Sequence, residues 1–318
     1  MYSRRHIRIK VMQEVYAYLQ RGDSNLPLAE KELLKSFEKL YDLFIYQLSF
    51  LAEIFDFAQL RVEEVKQKFL PTEEDLNPDT RLLDNRLIDL IMKNKEFSFH
   101  VNRLKISWKD EKEMIRGILN DFRNNGENKL SISSNKNSFT ADKKFLTDLF
   151  RNYVAPNETL ESFYEEESMY WANDYPIVTS NIMKCLGKIK EDWNEDDHIP
   201  VFYTSPADKK EDKEFALTLF RKIILHRDEF EQMIGKKAVN WDLERIALMD
   251  MIILEMALTE ILEFPTIPVK VSFNEYIEIS KSYSTPKSKV FINGILDKLI
   301  LDLKENNQIK KAGRGLVE

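Results

Sequence analysis

Apolar residues recur through this chain at intervals of three and four, the spacing that lines one face of an α-helix. Ile7, Val11, Val15 and Tyr18 form such a stripe and predict a first helix over 4–19, ended by the turn-forming RGDSN at 21–25. Leu33, Phe37, Leu40, Phe44, Leu48, Leu51, Phe55 and Ala58 continue the pattern over 28–70, as one very long helix or two, stopped by Pro71. After a polar connector at 72–81, helical spacing returns at 82–95, 108–124 and 143–153, while the Asn/Ser-rich stretch 125–139 reads as an exposed loop. A helix over 176–190 precedes an acidic, Pro-punctuated linker at 193–206. Ser205 and Pro206 then supply an N-cap and first position for a helix over 207–233. Helices over 241–262, 272–284 and 286–303 complete the pattern. Alternating polarity is scarce and Gly is rare (8 residues), so the fold class is all-α.

The linker divides the chain into an expanded N-terminal helical subdomain, 1–205, and a C-terminal helical subdomain, 206–303. Residues 304–318 read as a disordered basic tail whose Lys310, Lys311 and Arg314 add weak affinity for anions. No internal repeat is visible.

Composition narrows the function classes. With 318 residues, 43% hydrophobic and 32% charged, the chain resembles a soluble globular protein able to bury a core. Its start, MYSRRHIRIK, lacks the apolar segment of a secretory signal, and no apolar run approaches the ~18 residues that span a bilayer. One Cys and four His exclude a disulfide framework and leave too few ligands for a closed zinc site, which points to a reducing, cytoplasmic setting. No phosphate-cradling glycine loop is present, so no nucleotide cofactor is expected. Cys185 falls on the apolar side of its helix with Ile182 and Ile189 and reads as buried and inert. The acidic, aromatic stretch 161–175 reads as a solvated face with its aromatics turned inward, and Glu165, Glu166 and Glu167 are too exposed to nominate as an acid/base pair. The chain is expected not to be an enzyme.

The formal net charge of −7 opposes nucleic-acid binding until its distribution is considered. Residues 236–318 hold 12 Lys/Arg against 12 Asp/Glu, so the whole excess lies upstream. Within that acidic part, residues 1–10 carry Arg4, Arg5, Arg8 and Lys10 with no acid at all. Four basic residues in seven positions can track phosphates, and are expected to project away from the Ile7/Val11/Val15 stripe.

A second candidate lies at IPVKVSFNEYIEISKSYSTPKSKVFINGILDKL, 267–299. Ser272 and Glu275 have the spacing of a capping box at the start of one helix. Thr285 and Pro286 mark the start of the next, bringing Lys287, Ser288, Lys289 and Phe291 into its opening turns. A helix N-terminus flanked by lysines attracts anions. Phe291 lies at the edge of the Ile292/Ile295/Leu296/Leu299/Leu303 stripe, where periodicity alone favours packing and its basic neighbours favour stacking on a base. Asn293-Gly294 in mid-helix costs ~1 kcal/mol relative to Ala, which predicts a close helix crossing at Gly294 and a bond from Asn293 to a neighbouring loop.

The same stretch resembles the C-terminal signature of the NusB family of bacterial transcription antitermination factors, IP-x-KV-x-x-NE-x-I-E-x-x-K-x-[YF] followed by F-[IV]-NG-[IV]-LDK. Ile267, Pro268, Lys270, Val271, Asn274, Glu275, Ile277, Glu278, Lys281 and Tyr283 meet its first part, and Phe291–Lys298 its second. Trp241, Arg245, Ile246, Ala247, Asp250, Ile253, Leu254 and Glu260 fit the preceding family helix. Arg4, Arg5, Arg8, Gln13 and Tyr16 resemble the family's arginine-rich first helix.

The resemblance implies an all-helical NusB-type bundle, here with an enlarged N-terminal part, that binds boxA-type single-stranded RNA together with the ribosomal protein NusE within an RNA polymerase antitermination complex on ribosomal RNA operons. It also implies RNA contact by Arg4, Arg5, Arg8 and Phe291; His6 as a weaker contact, Lys10, which replaces an uncharged residue in some members, Lys287, Ser288 and Lys289 are expected to join them, with Asn293 read first as scaffold. Position 287 is Lys where some members are acidic, which implies stronger attraction for RNA. Family members are less than half this long, so the role of 20–235 stays open, as does homodimerisation. The alternatives are a helical scaffold that does not bind RNA, and an RNA-binding domain of the kind fused to ribosomal RNA methyltransferases.

Overall fold

A computed structural model describes residues 3–22, 25–65, 80–124, 138–200, 206–238 and 246–316. Twelve α-helices run through them: α1 Arg4–Arg21, α2 Leu26–Val65, α3 Arg86–Lys93, α4 Lys95–Leu104, α5 Lys112–Asn124, α6 Phe139–Leu149, α7 Glu158–Glu167, α8 Tyr175–Lys188, α9 Pro206–Lys237, α10 Leu248–Glu263, α11 Val269–Tyr283 and α12 Pro286–Glu305. There is no strand among the described residues, and the fold class is all-α as expected. Residues 125–137 of the expected loop at 125–139, Pro71, Ser205, Trp241 and Arg245 lie outside the described residues, while Ser138 caps α6 and Phe139 opens it.

The chain forms two compact units, residues 1–37 with 203–318, and residues 38–202. The linker boundary at 205/206 falls close to the second division. The first helix, placed by the sequence in the N-terminal subdomain, instead belongs with the C-terminal helices, because buried Ile7, Val11 and Val15 pack α1 onto α9, α10 and α11.

At the centre of that unit is α10, whose residues from Asp250 to Ile261 are all buried. A helix buried on every side reads as apolar all round, as MDMIILEMALTEIL nearly does. Its few polar residues therefore need internal partners. Ser284 Oγ donates to Asp250, Thr259 Oγ1 donates to the Glu255 carbonyl at 2.8 Å, and Glu260 is met by side chains described below.

The tail differs from expectation. Lys311 Nζ donates to the Phe264 carbonyl at 3.0 Å and the Ala312 N–H to the Pro265 carbonyl at 3.0 Å. A lysine thus closes the C-terminal end of α10, where helix carbonyls lack internal partners, and burial lowers its pKa.

The second unit is built around aromatics. Tyr46, Phe50, Trp108, Tyr164, Trp171 and Tyr175 meet mostly edge to face, with the Trp108 indole donating to Ser49 Oγ at 3.1 Å and the Trp171 indole to the Lys39 carbonyl at 2.7 Å. Tyr164, Trp171 and Tyr175 are thus turned inward, Phe163 and Tyr170 are half-buried, and Glu165, Glu166 and Glu167 stay exposed. Cys185 is fully buried and burial pushes its thiol up to about 12, an unreactive state. One feature escaped the sequence: α2 is long and apolar enough to cross a membrane by length and composition, although 67% of its most apolar window is buried inside the protein.

Candidate nucleic-acid interface

The first turn of α1 is set by Ser3, whose hydroxyl accepts the His6 N–H at 3.1 Å, and the last by Gly22, whose φ of 65° closes the helix in the left-handed region. Cβ positions three and four apart share a face, so Arg4 and Arg8 lie on one side and Arg5 beside them. They do not project into solvent as a free basic comb. Arg8 is buried, 3% exposed at its side chain, and forks onto Glu260 with Nε and Nη2 each 2.7 Å from a carboxylate oxygen. Glu260 also accepts Ser272 Oγ at 2.7 Å and Tyr276 OH at 3.0 Å, so one fully buried carboxylate receives four hydrogen bonds. Burial works to lower the Arg8 pKa, but the hydrogen bonds and charge of Glu260 outweigh it and the pKa is raised.

This corrects two expectations. Arg8 anchors α1 to α10 and α11, with its guanidinium committed to Glu260 instead of projecting into solvent. Ser272 and Glu275 do not cap α11, which begins at Val269, so both fall inside it: Ser272 turns to Glu260 and Glu275 to the arginines. His6 and Lys10 are also buried. Burial first, and the charge of Lys10 second, push the imidazole of His6 down to about 3, so it is neutral at physiological pH and offers phosphate no charge.

Arg4 and Arg5 remain at the surface, each with a carboxylate. Arg5 donates Nε and Nη2 to the two oxygens of Glu275 at 2.9 and 2.8 Å, and its pKa is raised chiefly by that bond. Arg4 is paired with Glu211, with Asp212 3.6 Å away, and its guanidinium lies 4.7 Å from the centre of the Phe215 ring. Arg4, Arg5, Glu211, Phe215 and Glu275, together with Arg8, line an open groove of about 1060 Å³.

The second element is α12. Thr285 caps it as expected, accepting the Ser288 N–H at 3.1 Å, with Pro286 in the first turn. Ser288 takes part in that cap, its hydroxyl 2.9 Å from Thr285 Oγ1, with hydrogen-bonding capacity to spare. Lys287 is exposed and Lys289 half-buried, and neither makes an ion pair among the described residues. Phe291 is half-buried at the stripe edge. Asn293 bonds Asp297 of its own helix at 3.2 Å rather than a loop, and a Cβ on Gly294 would meet nothing within 4 Å, so no close helix crossing explains the glycine.

Arg5 and Lys289 both act on Glu278. The pKa of that carboxylate is lowered first by its hydrogen bond from Lys281 and then also by the charges of Arg5 and Lys289. The two basic segments, nearly three hundred residues apart, therefore border one stretch of surface.

Comparison with known proteins adds to this geometry. The NusB family model matches residues 186–301, a span that takes in α9 to α12 up to Leu301 and leaves out α1. Proteins called transcription antitermination protein NusB are similar: that of Salinibacter ruber is 46% identical over 105 residues, covering 33% of this chain and 66% of the relative. That of Chloroherpeton thalassium is 41% identical over 106 residues, covering 33% and 50%. That of Methylacidiphilum infernorum is 43% identical over 98 residues, covering 31% of this chain and 68% of the relative. The chain belongs to the NusB family. It spans less than two thirds of the length of the first two of these NusB relatives, and no solved structure matches it.

Sequence reasoning missed the partners of the arginines. For Glu260 a signal existed, since an acid inside an otherwise apolar helix implies a buried cation. Glu211 and Phe215, on a long mixed-charge helix, carried none.

Proposed function

We propose that this chain is a non-enzymatic, cytoplasmic transcription antitermination factor that binds boxA-type single-stranded RNA together with the ribosomal protein NusE, so that transcribing RNA polymerase resists termination on ribosomal RNA operons. Arg4, Arg5, Lys287 and Lys289 hold phosphates, Phe291 stacks on an unpaired base, and Asn293 and Ser288 meet polar edges of the RNA. His6, Arg8 and Lys10 have no place in this contact set because they are buried. Family membership supports the class, and the observation that carries the site is that α11 packs against both α1 and α12, with Arg5 held on it by Glu275 and with Glu278, one turn further on, feeling the charges of both Arg5 and Lys289.

The mechanism needs no bond chemistry: four cations spread over two helices favour a flexible, multiply charged strand over a single anion. With about four phosphates neutralised, log K against log[salt] is expected to slope by roughly −2.8 for single-stranded RNA. Fluorescence anisotropy with a boxA oligonucleotide, with and without NusE, checks this. The proposal expects tighter binding in the ternary mixture, and a slope near zero overturns it. The pairing of Arg4 and Arg5 with carboxylates also suits a helical scaffold that does not bind RNA, and folded protein with no affinity in either mixture would favour that reading.

A further inference from the structure

We propose that Glu211 and Glu275 set the affinity of the RNA site, as built-in competitors that occupy Arg4 and Arg5 until phosphate displaces them. This rests on the RNA reading above. The two-pronged grip of Arg5 on Glu275, at 2.9 and 2.8 Å, is the fork by which a guanidinium also holds a phosphate. Carboxylate and phosphate therefore compete for the same donors. Arg4 is held by Glu211 through one nitrogen, while its other terminal nitrogen lies 3.6 Å from Asp212, so an acid occupies this guanidinium too.

Exchange is open at both places. The Arg5 side chain is 46% exposed and that of Glu211 64%, so each pair can part without opening the core. Arg8 and Glu260 are the contrast, buried at 3% and 0% and closed to any exchange. The site thus holds two kinds of cation. Lys287 and Lys289, with no ion pair among the described residues, are available at once, whereas Arg4 and Arg5 become available only as their acids swing away. A strand that presents several neighbouring phosphates can hold the lysines while it displaces the acids. A lone phosphate gains too little to do so.

Glu214 supplies the internal control. It lines the same groove and carries the same charge, but its partner is Lys210, at 3.8 Å. RNA affinity is measured by anisotropy for the full chain and for Glu211→Gln, Glu275→Gln and Glu214→Gln. Competition predicts that the first two tighten binding by about 1.5- to 5-fold each, the worth of an exposed ion pair, and that Glu214→Gln does less. It also predicts that Glu275→Gln in an Arg5→Ala background tightens binding no more than Glu214→Gln does. Equal gains from all three acids would mean that only bulk charge matters, and would overturn the proposal, as would unchanged or weaker binding in Glu211→Gln. Because Glu275 also lies 3.7 Å from Arg8, the variant of Glu211, whose ion pair is with Arg4 and not Arg8, carries the decision if Glu275→Gln unfolds. No binding by the folded wild-type chain would instead defeat the RNA reading and this proposal with it, an outcome distinct from equal gains.

Discussion

Glu255 sits on the face of α10 turned towards α9, fully buried, with Arg227 Nε 3.6 Å from one of its oxygens and no hydrogen bond to either. Burial raises its pKa to about 8 against the pull of Arg227, with the charge of Glu231 adding to the rise. An acid whose folded pKa lies above its unfolded value holds a proton in the native state that the unfolded chain gives up. Stability from this group is therefore complete below about pH 4.5, declines as pH rises towards 8, and is flat beyond. Glu14, raised to about 7 mainly by burial, acts in the same direction over a narrower window. Glu255→Gln keeps the shape and removes the titration. Urea unfolding at pH 6 and pH 8.5 should show the wild type losing on the order of 2–3 kcal/mol more than the variant between the two. Equal losses would mean that Glu255 is ionised in the native state throughout.

At the scale of elements, the joint between α1, α10 and α11 is a buried ion pair, and such a pair shows its importance when one partner is removed. Arg8→Ala leaves Glu260 charged and buried beside Ser272 and Tyr276, so it should cost about 3–5 kcal/mol, against about 0–1 for Arg4→Ala at the surface. Urea midpoints compare the two, and equal costs would refute the anchoring role of Arg8. The joint also marks how far the helices could be read from the sequence. Repeating apolar positions located α1, α2, α9 and α12 to within a few residues, and the Thr285-Pro286 start was legible because a cap is a local device. Other starts were not, because the same spacing serves two purposes. Ser272 and Glu275 stand three apart, as in a capping box, yet three apart is also one face of a helix already begun at Val269. The predicted helix over 82–95 is broken because Asn94 closes α3 and opens α4, its side chain accepting the Phe97 N–H at 2.9 Å. The burial of Arg8 was invisible for a different reason: its partner is 252 residues away, and no local pattern separates an arginine that meets phosphate from one that meets Glu260.

For the whole molecule, the question is what the unit at 38–202 does to a site made entirely of residues outside it. That unit carries 31 Asp/Glu against 22 Lys/Arg, and the remainder of the chain 25 Lys/Arg against 23 Asp/Glu. The acidity that argued against RNA thus belongs to one compact unit, and the other is slightly basic. The latter has its own core, with Ile7, Leu33, Phe220, Ile253 and Leu296 all fully buried, and every residue proposed to hold RNA. Joining residue 37 to residue 203 through a flexible linker of ~20 residues, with a reach of roughly 25 Å, removes nine net negative charges and no proposed contact. The shortened chain should keep a cooperative helical melt and bind boxA RNA at least as tightly as the full chain at low salt. Any gain should fade as salt rises, since the Debye length falls from ~10 Å at 0.1 M to ~3 Å at 1 M. A folded shortened chain that no longer binds would show that residues 38–202 complete the RNA site rather than repel its ligand.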